Sequence, residues 1–312
     1  MRHLFLLILL PFISSQFTSI DKPEARNHHA ITFDRADKKL VLFGGNGDQT
    51  RFFGDTWEWD GNAWLRRSVK TPTARSSHAF IFDPFTQMSL LIGGVSDKGL
   101  VEDMIWDWNG ESWVEQSHLK PSLRHSAAVA VDEKRGVIFL FSGSAKGSDE
   151  MWAYRKGNWE AIPVQGNKPS SRTRAQMAYD PNRETLLLFG GYANGNSVGD
   201  TWEWDGEKWQ QLKVAGPPAR NNHLMVTDLK RGRIVLFGGK RRTPEQLYQD
   251  TWEWDGEAWT KVIESGPSPR DMAAGTYDYN LQQVVLHGGR DSNRKALGDF
   301  WTWDGKQWTQ VH

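Results

Sequence analysis

The chain has no cysteine among its 312 residues. Disulfides, thiolate metal sites and cysteine nucleophiles are excluded together. It also has no surplus of either charge: 38 Lys and Arg stand against 38 Asp and Glu. A polyanion-binding protein shows a basic excess or stripe, so neutrality argues against a nucleic-acid partner. No stretch sustains a helical period, which points away from helical and mixed folds. No Asn-x-Ser/Thr acceptor occurs, and no HExxH, P-loop or nucleophile-elbow pattern is present.

Long apolar runs are scarce as well. Leu4 to Ile13 is apolar, follows Arg2 and His3, and is succeeded by Ser14 and Ser15 before Gln16. That run is too short for a membrane helix and has the layout of a signal peptide over residues 1–15. No cysteine follows it, so a bacterial lipid anchor there is excluded. The expectation is an exported protein without a membrane span. The lack of both cysteine and sequon fits a bacterial periplasm or medium.

What is abundant is repetition, and a period of this length decides the fold. Arginine recurs at Arg26, Arg75, Arg124, Arg172, Arg220 and Arg270. Eight residues later stands an aspartate, Asp34 in the first unit, and eleven after that a glycine, Gly45. Five of the six glycines close a Gly-Gly pair; the third unit has Ser142 first. A tryptophan follows, Trp57, and another seven residues on, Trp64. Five units carry a third tryptophan between them, as at Trp59, and the third unit has Tyr154. All 17 tryptophans fall on these three positions.

Each unit reads as four strands joined by turns such as Asp83-Pro84 and Asp205-Gly206. Units of 48 to 50 residues with four strands predict propeller blades. The fold class is all-β, a six-bladed β-propeller. Its blades run approximately 23–71, 72–120, 121–168, 169–215, 216–265 and 266–312, within one domain over 16–312. The Gly-Gly doublets and spaced tryptophans resemble the kelch repeat, in a variant spelled Asp-Thr-Trp-Glu-Trp-Asp-Gly at Asp55 to Gly61, Asp200 to Gly206 and Asp250 to Gly256. The resemblance covers residues 23–312. It implies kelch-type blades and a partner-binding face formed by the loops between strands two and three and the links from strand four to strand one.

The stretch from glycine to first tryptophan varies from 9 to 13 residues, whereas the hairpin between strands one and two is constant. Variable loops over a constant scaffold are where function concentrates. The arginines open strand one at that same face. Arrayed around a central channel, Arg26, Arg75, Arg124, Arg172, Arg220 and Arg270 would form a positive ring for carboxylates or anionic sugars. The competing reading is that each arginine bridges a carboxylate or carbonyl inside its blade. Two residues further on, His28, Ser77, Ser126, Arg174, Asn222 and Met272 fall on the channel side. The loops add Phe52, Phe53, Tyr192, Lys240, Arg241, Arg242, Tyr248, Arg290 and Arg294, with Asp48, Glu102 and Asp149 among them. Symmetry does not explain the non-repeating residues, so Arg174, His28, His125 and Tyr192 are the favoured site candidates. His29, His78 and His223 share one repeat position in the first, second and fifth blades, so they do not form one tight cluster and are expected to be packed core residues. Most tryptophans are expected to be structural, filling the contacts between adjacent blades; the middle ones are taken as the more exposed set, with sugar stacking as the lesser alternative there.

The function expected from these features is a non-catalytic binding propeller for a protein or glycan, monomeric and without cofactor or metal. The alternative is a periplasmic carbohydrate-active enzyme resembling a kelch-type sialic-acid epimerase, with an arginine-lined pocket. Copper-radical sugar oxidases share kelch-like blades but need a cysteine. The repeated Ser-x-Asp-x-Gly-x-Thr-Trp box of sialidases is not matched by Gly54 to Trp57.

Overall fold

Alternating apolar residues bounded by Asx turns give short antiparallel strands. In the first hairpin, Asp34 accepts from the backbone amides of Ala36 and Asp37 at 2.9 and 3.2 Å. The computed structural model describes residues 22–48, 51–101, 105–116, 121–122, 124–144, 149–263 and 265–311. The leader over 1–15, Glu102, and the stretch Phe17 to Ile20, which aligns in sequence with the strand-four position, lie outside the described residues. Among the described residues no helix is long and apolar enough to cross a membrane.

Six four-stranded antiparallel sheets follow one another along the chain. Blade one comprises Ala30–Asp34, Lys39–Phe43, Thr56–Trp59 and Trp64–Arg67. Blade two comprises Ala79–Asp83, Met88–Ile92, Ile105–Trp108 and Trp113–Glu115, and blade three Ala128–Asp132, Val137–Phe141, Met151–Arg155 and Asn158–Ile162. Blade four is Gln176–Asp180, Thr185–Phe189, Thr201–Trp204 and Trp209–Leu212, and blade five Leu224–Asp228, Arg233–Phe237, Thr251–Trp254 and Trp259–Ile263. Blade six is Ala274–Asp278, Gln283–Arg290, Ala296–Trp303 and Trp308–Val311. The first strands lie innermost and touch in chain order around a closed ring, the last beside the first.

The core sits between blades. In each blade the middle and last aromatic positions face each other across the third hairpin, with ring centroids 5.1 to 5.6 Å apart. The last tryptophan also reaches the preceding blade: Trp113, Trp259 and Trp308 donate to Thr56, Thr201 and Thr251 at 2.9, 3.2 and 2.9 Å. The middle tryptophans correct the expectation drawn from sequence. Trp108, Trp204, Trp254 and Trp303 are no more than 1% exposed. The third strand lies within the sheet and its second tryptophan is roofed by the neighbouring blade, so these rings are not available for sugar stacking.

Gly-Gly pairs mark where one blade meets the next. Gly45 donates to the Arg75 carbonyl at 2.8 Å, and each second glycine repeats the bond, ending with Gly289 to Arg26 at 2.9 Å. A Cβ on the first glycine of the pair would fall 2.3 to 2.8 Å from that same carbonyl in the five Gly-Gly blades. Blade three keeps Ser142 there, with φ 62°, and its hydroxyl donates to the Arg172 carbonyl at 2.7 Å. The side chain that would clash instead makes the bond.

Candidate functional site at the loop-face mouth of the channel

Residue pairing fixes the loop face. In five blades, the residue after the repeat arginine bridges the residue after the glycine pair, as Asn221 does with Lys240 and Asp271 with Arg290. In blade three the Ser144 amide donates to the His125 carbonyl at 2.9 Å. This brings the start of each strand two-to-three loop beside the channel. In blades two, four and five the loop continues as a small hairpin, Tyr192–Ala193 with Asn196–Ser197 in blade four and Lys240–Arg241 with Gln246–Leu247 in blade five.

One residue further along, His28, Ser77, Ser126, Arg174, Asn222 and Met272 form a closed iris. Each donates its backbone amide to the carbonyl of the one before: Ser77 to His28, Ser126 to Ser77, Arg174 to Ser126, Asn222 to Arg174, Met272 to Asn222 and His28 to Met272, at 2.8 to 3.1 Å. All six have φ between 53° and 62°, a left-handed conformation that non-glycine residues adopt at a cost. The circle of bonds offsets that cost and fixes the mouth. Behind it lies a central cavity of about 280 Å³ lined by the inner strands.

The six repeat arginines do not line this mouth. Each is no more than 3% exposed. Arg26 gives both guanidinium nitrogens to Asp55 at 2.8 and 2.9 Å, and also bonds the carbonyls of Gly44 and Glu24. Arg172, Arg220 and Arg270 hold Asp200, Asp250 and Asp299 by the same fork, and each of these aspartates also accepts from the first tryptophan of its third strand. The fork holds Asp55, Asp200, Asp250 and Asp299 below the usual carboxylate range despite their burial. Arg124 has Glu150 instead, at 3.4 Å, and Arg75 bonds the Gly93 carbonyl at 3.1 Å. A buried cation needs such partners, and the blades supply them. Phe53 and Tyr248 are also absorbed into the scaffold, their rings 4.2 and 4.0 Å from the guanidinium carbons of Arg26 and Arg220.

The iris residue Arg174 is different. It is half-buried, and among the described residues its guanidinium is acted on by burial and through-space charges only, with no side-chain hydrogen bond. Burial is the main influence lowering its pKa; Asp271 opposes this, while Arg290 and Arg242 add to it. Asp271 is shared by Lys240 at 3.2 Å and Arg290 at 3.4 Å. Asn222 is 7% exposed, and its side-chain amide nitrogen has no partner. His28 is lowered to about 3 by burial and then by the Arg174, Arg290 and Lys240 charges, so it is neutral at pH 7. His125 is lowered too, by burial and Arg174, and its Nδ1 lies 3.0 Å from the Ser126 hydroxyl. Tyr192 closes one wall: Arg242 donates to its hydroxyl at 2.5 Å and lies over its ring at 5.1 Å.

Arg174, His28, His125 and Tyr192 therefore belong to one neighbourhood. Asp271 escaped sequence reasoning, although a carboxylate beside the repeat arginine, where other blades have Asn27, Ser76, His125, Thr173 and Asn221, is a non-repeating feature of the same kind. His29, His78 and His223 are buried between blades, each ring packed against the first glycine of the preceding blade. No group of three or more potential metal-ligating side chains occurs among the described residues.

The description of the KLHDC2/KLHL20/DRC7 Kelch-repeats domain matches residues 149–312, just over half of the chain. The chain belongs to the kelch-repeat family. The match spans the last strands of blade three through blade six, and the kelch propeller continues with the same architecture through blades one and two. No curated protein matches the sequence significantly. The cationic side of this kelch mouth, from Arg174 to Arg290, lies within the matched residues.

Proposed function

We propose that this kelch propeller is a non-catalytic binding protein that docks a protein partner on its loop face, with an anionic group of the partner held at the channel mouth. Arg174 carries the reading. A half-buried guanidinium with no side-chain hydrogen bond offers a planar fork suited to a carboxylate, and leaving such a charge without one is unfavourable. Asn222 adds an unused donor, and Lys240 with Arg290 places two cations against Asp271. Export follows from the amino-terminal apolar run. Recovery of protein lacking residues 1–15 from periplasm or medium supports it, and a precursor-sized cytoplasmic protein rejects it.

The test is a thermal shift of residues 16–312 against acidic peptides, neutral oligosaccharides and sugar acids. A ligand at one hundred times its Kd adds about 2.7 kcal/mol. An acidic peptide should raise the melting temperature of the wild-type protein but not of Arg174→Ala, whose own melting stays near wild type. Arg220→Ala, by contrast, should lose about 3–5 kcal/mol of stability by stranding Asp250. No shift with any anion removes the reading.

A second reading rests on the two neutral histidines beside Arg174. A sialic-acid epimerase-like enzyme needs a carboxylate anchor with a proton acceptor close by, and His28 or His125 has that character. Anomer exchange of sialic or uronic acids followed by NMR, and lost in His125→Ala, would favour it over plain binding.

A further inference from the structure

The residue after each hairpin aspartate holds an equivalent place in every blade: Arg35, Pro84, Glu133, Pro181, Leu229 and Tyr279. Three of these are long and polar, and they meet. Arg35 pairs with Glu133, and the Tyr279 hydroxyl donates to the same carboxylate oxygen at 3.4 Å. The Arg35 guanidinium carbon lies 4.4 Å from the Tyr279 ring centroid and 5.4 Å from that of Phe82. These residues come from blades one, three and six. Because the inner strands follow chain order around the ring, blades three and six face each other across its axis. A contact between them has to cross the channel. Arg35, Glu133, Tyr279 and Leu229 all line the one central cavity.

We infer that the channel is a blind well, entered from the loop face and closed at the hairpin face by an Arg35–Glu133–Tyr279 clasp. The remaining three positions suit this closure, since Pro84, Pro181 and Leu229 bring no polar side chain that would need a partner there. Arg35 and Glu133 are 24% and 26% exposed, so the pair is shielded enough for its attraction to matter. Stacking of the guanidinium on two rings adds to it. The clasp also joins blades one and six, the two sides of one seam, to blade three. It limits how far a ligand at the mouth can reach inward.

The cysteine-free chain allows a direct test. Thr276→Cys places a near-isosteric thiol on the cavity wall three residues before Tyr279, and Ala79→Cys places one near the iris. The rate of reaction with a charged methanethiosulfonate reagent is measured for each, alone and combined with Glu133→Ala or Tyr279→Ala. Circular dichroism checks folding, and the two opening variants stand in for each other if one fails to fold. The clasp predicts a several-fold faster reaction at Thr276→Cys when it is removed, with Ala79→Cys unchanged. An unchanged rate at Thr276→Cys, or an equal rise at both thiols, overturns the inference.

Discussion

A buried histidine stays neutral when no carboxylate meets it, and this molecule has several. His78, His223 and His287 are buried, and desolvation together with nearby arginine charge lowers each from 6.5 to about 3. His287 stands where other blades close strand two with Phe or Ile, and its Nδ1 lies 3.0 Å from His29 Nε2 across the seam of blades six and one. Between pH 6.5 and about 3 the unfolded chain binds protons at these sites and the folded chain does not. Stability therefore falls as pH drops through that window, by up to about 1.4 kcal/mol per pH unit for each histidine, and these groups contribute no slope above pH 7. Asp107 opposes the trend. Burial pushes it up to about 6, so it favours the fold at lower pH, and its partner is the amide of Gln116 rather than a cation. Urea melts at pH 7, 5.5 and 4.5 should show a net loss on acidification. His223→Phe should flatten that slope, whatever it does to stability at pH 7. An unchanged slope would mean that His223 is charged in the fold.

Within a blade, the repeat explains its own chemistry. The first glycine of each pair sits where the next blade's arginine carbonyl arrives. At Gly190 a Cβ would lie 2.6 Å from the Arg220 carbonyl oxygen, with φ 67° adding left-handed strain. Gly195 has φ 81° but open space around it. Gly190→Ala should thus cost clearly more than Gly195→Ala, which carries only the conformational penalty of about 1–2 kcal/mol. Chemical denaturation of the two variants separates packing from backbone strain, and equal losses would remove the close approach as the reason for the doublet. Strands, hairpins and glycine doublets were legible in the sequence because six copies average out local noise. The burial order of the three tryptophans was not, since it depends on the neighbouring blade. The roles of Phe53 and Tyr248 were hidden for the same reason: their rings cover arginines that only the fold brings beneath them. The iris was legible as a fixed offset from the arginine, whereas the sharing of Asp271 by Lys240 and Arg290 depends on distances that spacing does not encode.

Around the ring, the described strands of blades one and six each form a sheet of their own. Among the described residues, blade one is built from 30–67 and blade six from 274–311, each complete. Their seam carries the bonds of every other seam, with Gly289 donating to Arg26 at 2.9 Å and His28 to Met272 at 3.0 Å, and Arg26 donates to Leu297 at 2.8 Å. Asp48 and Asn280 add side-chain bonds across it, to the Ala296 amide and the Lys38 carbonyl, both at 2.8 Å. None of this is covalent, so the seam depends on blade six being whole. Its outer strand, Trp308–Val311, is also tied to blade five: Trp308 donates to Thr251, and its ring lies 5.2 Å from Phe237. Deleting residues 308–312 removes that strand and exposes the third strand's tryptophans. The loss of Trp308 alone should cost about 3–5 kcal/mol, as for any large buried aromatic, and the missing strand pairing adds to it. Thermal unfolding of the truncated chain should therefore begin well below that of the intact protein. A truncation as stable as the parent would mean that another segment pairs with Ala296–Trp303, and hydrogen exchange along that strand would show whether its amides remain protected.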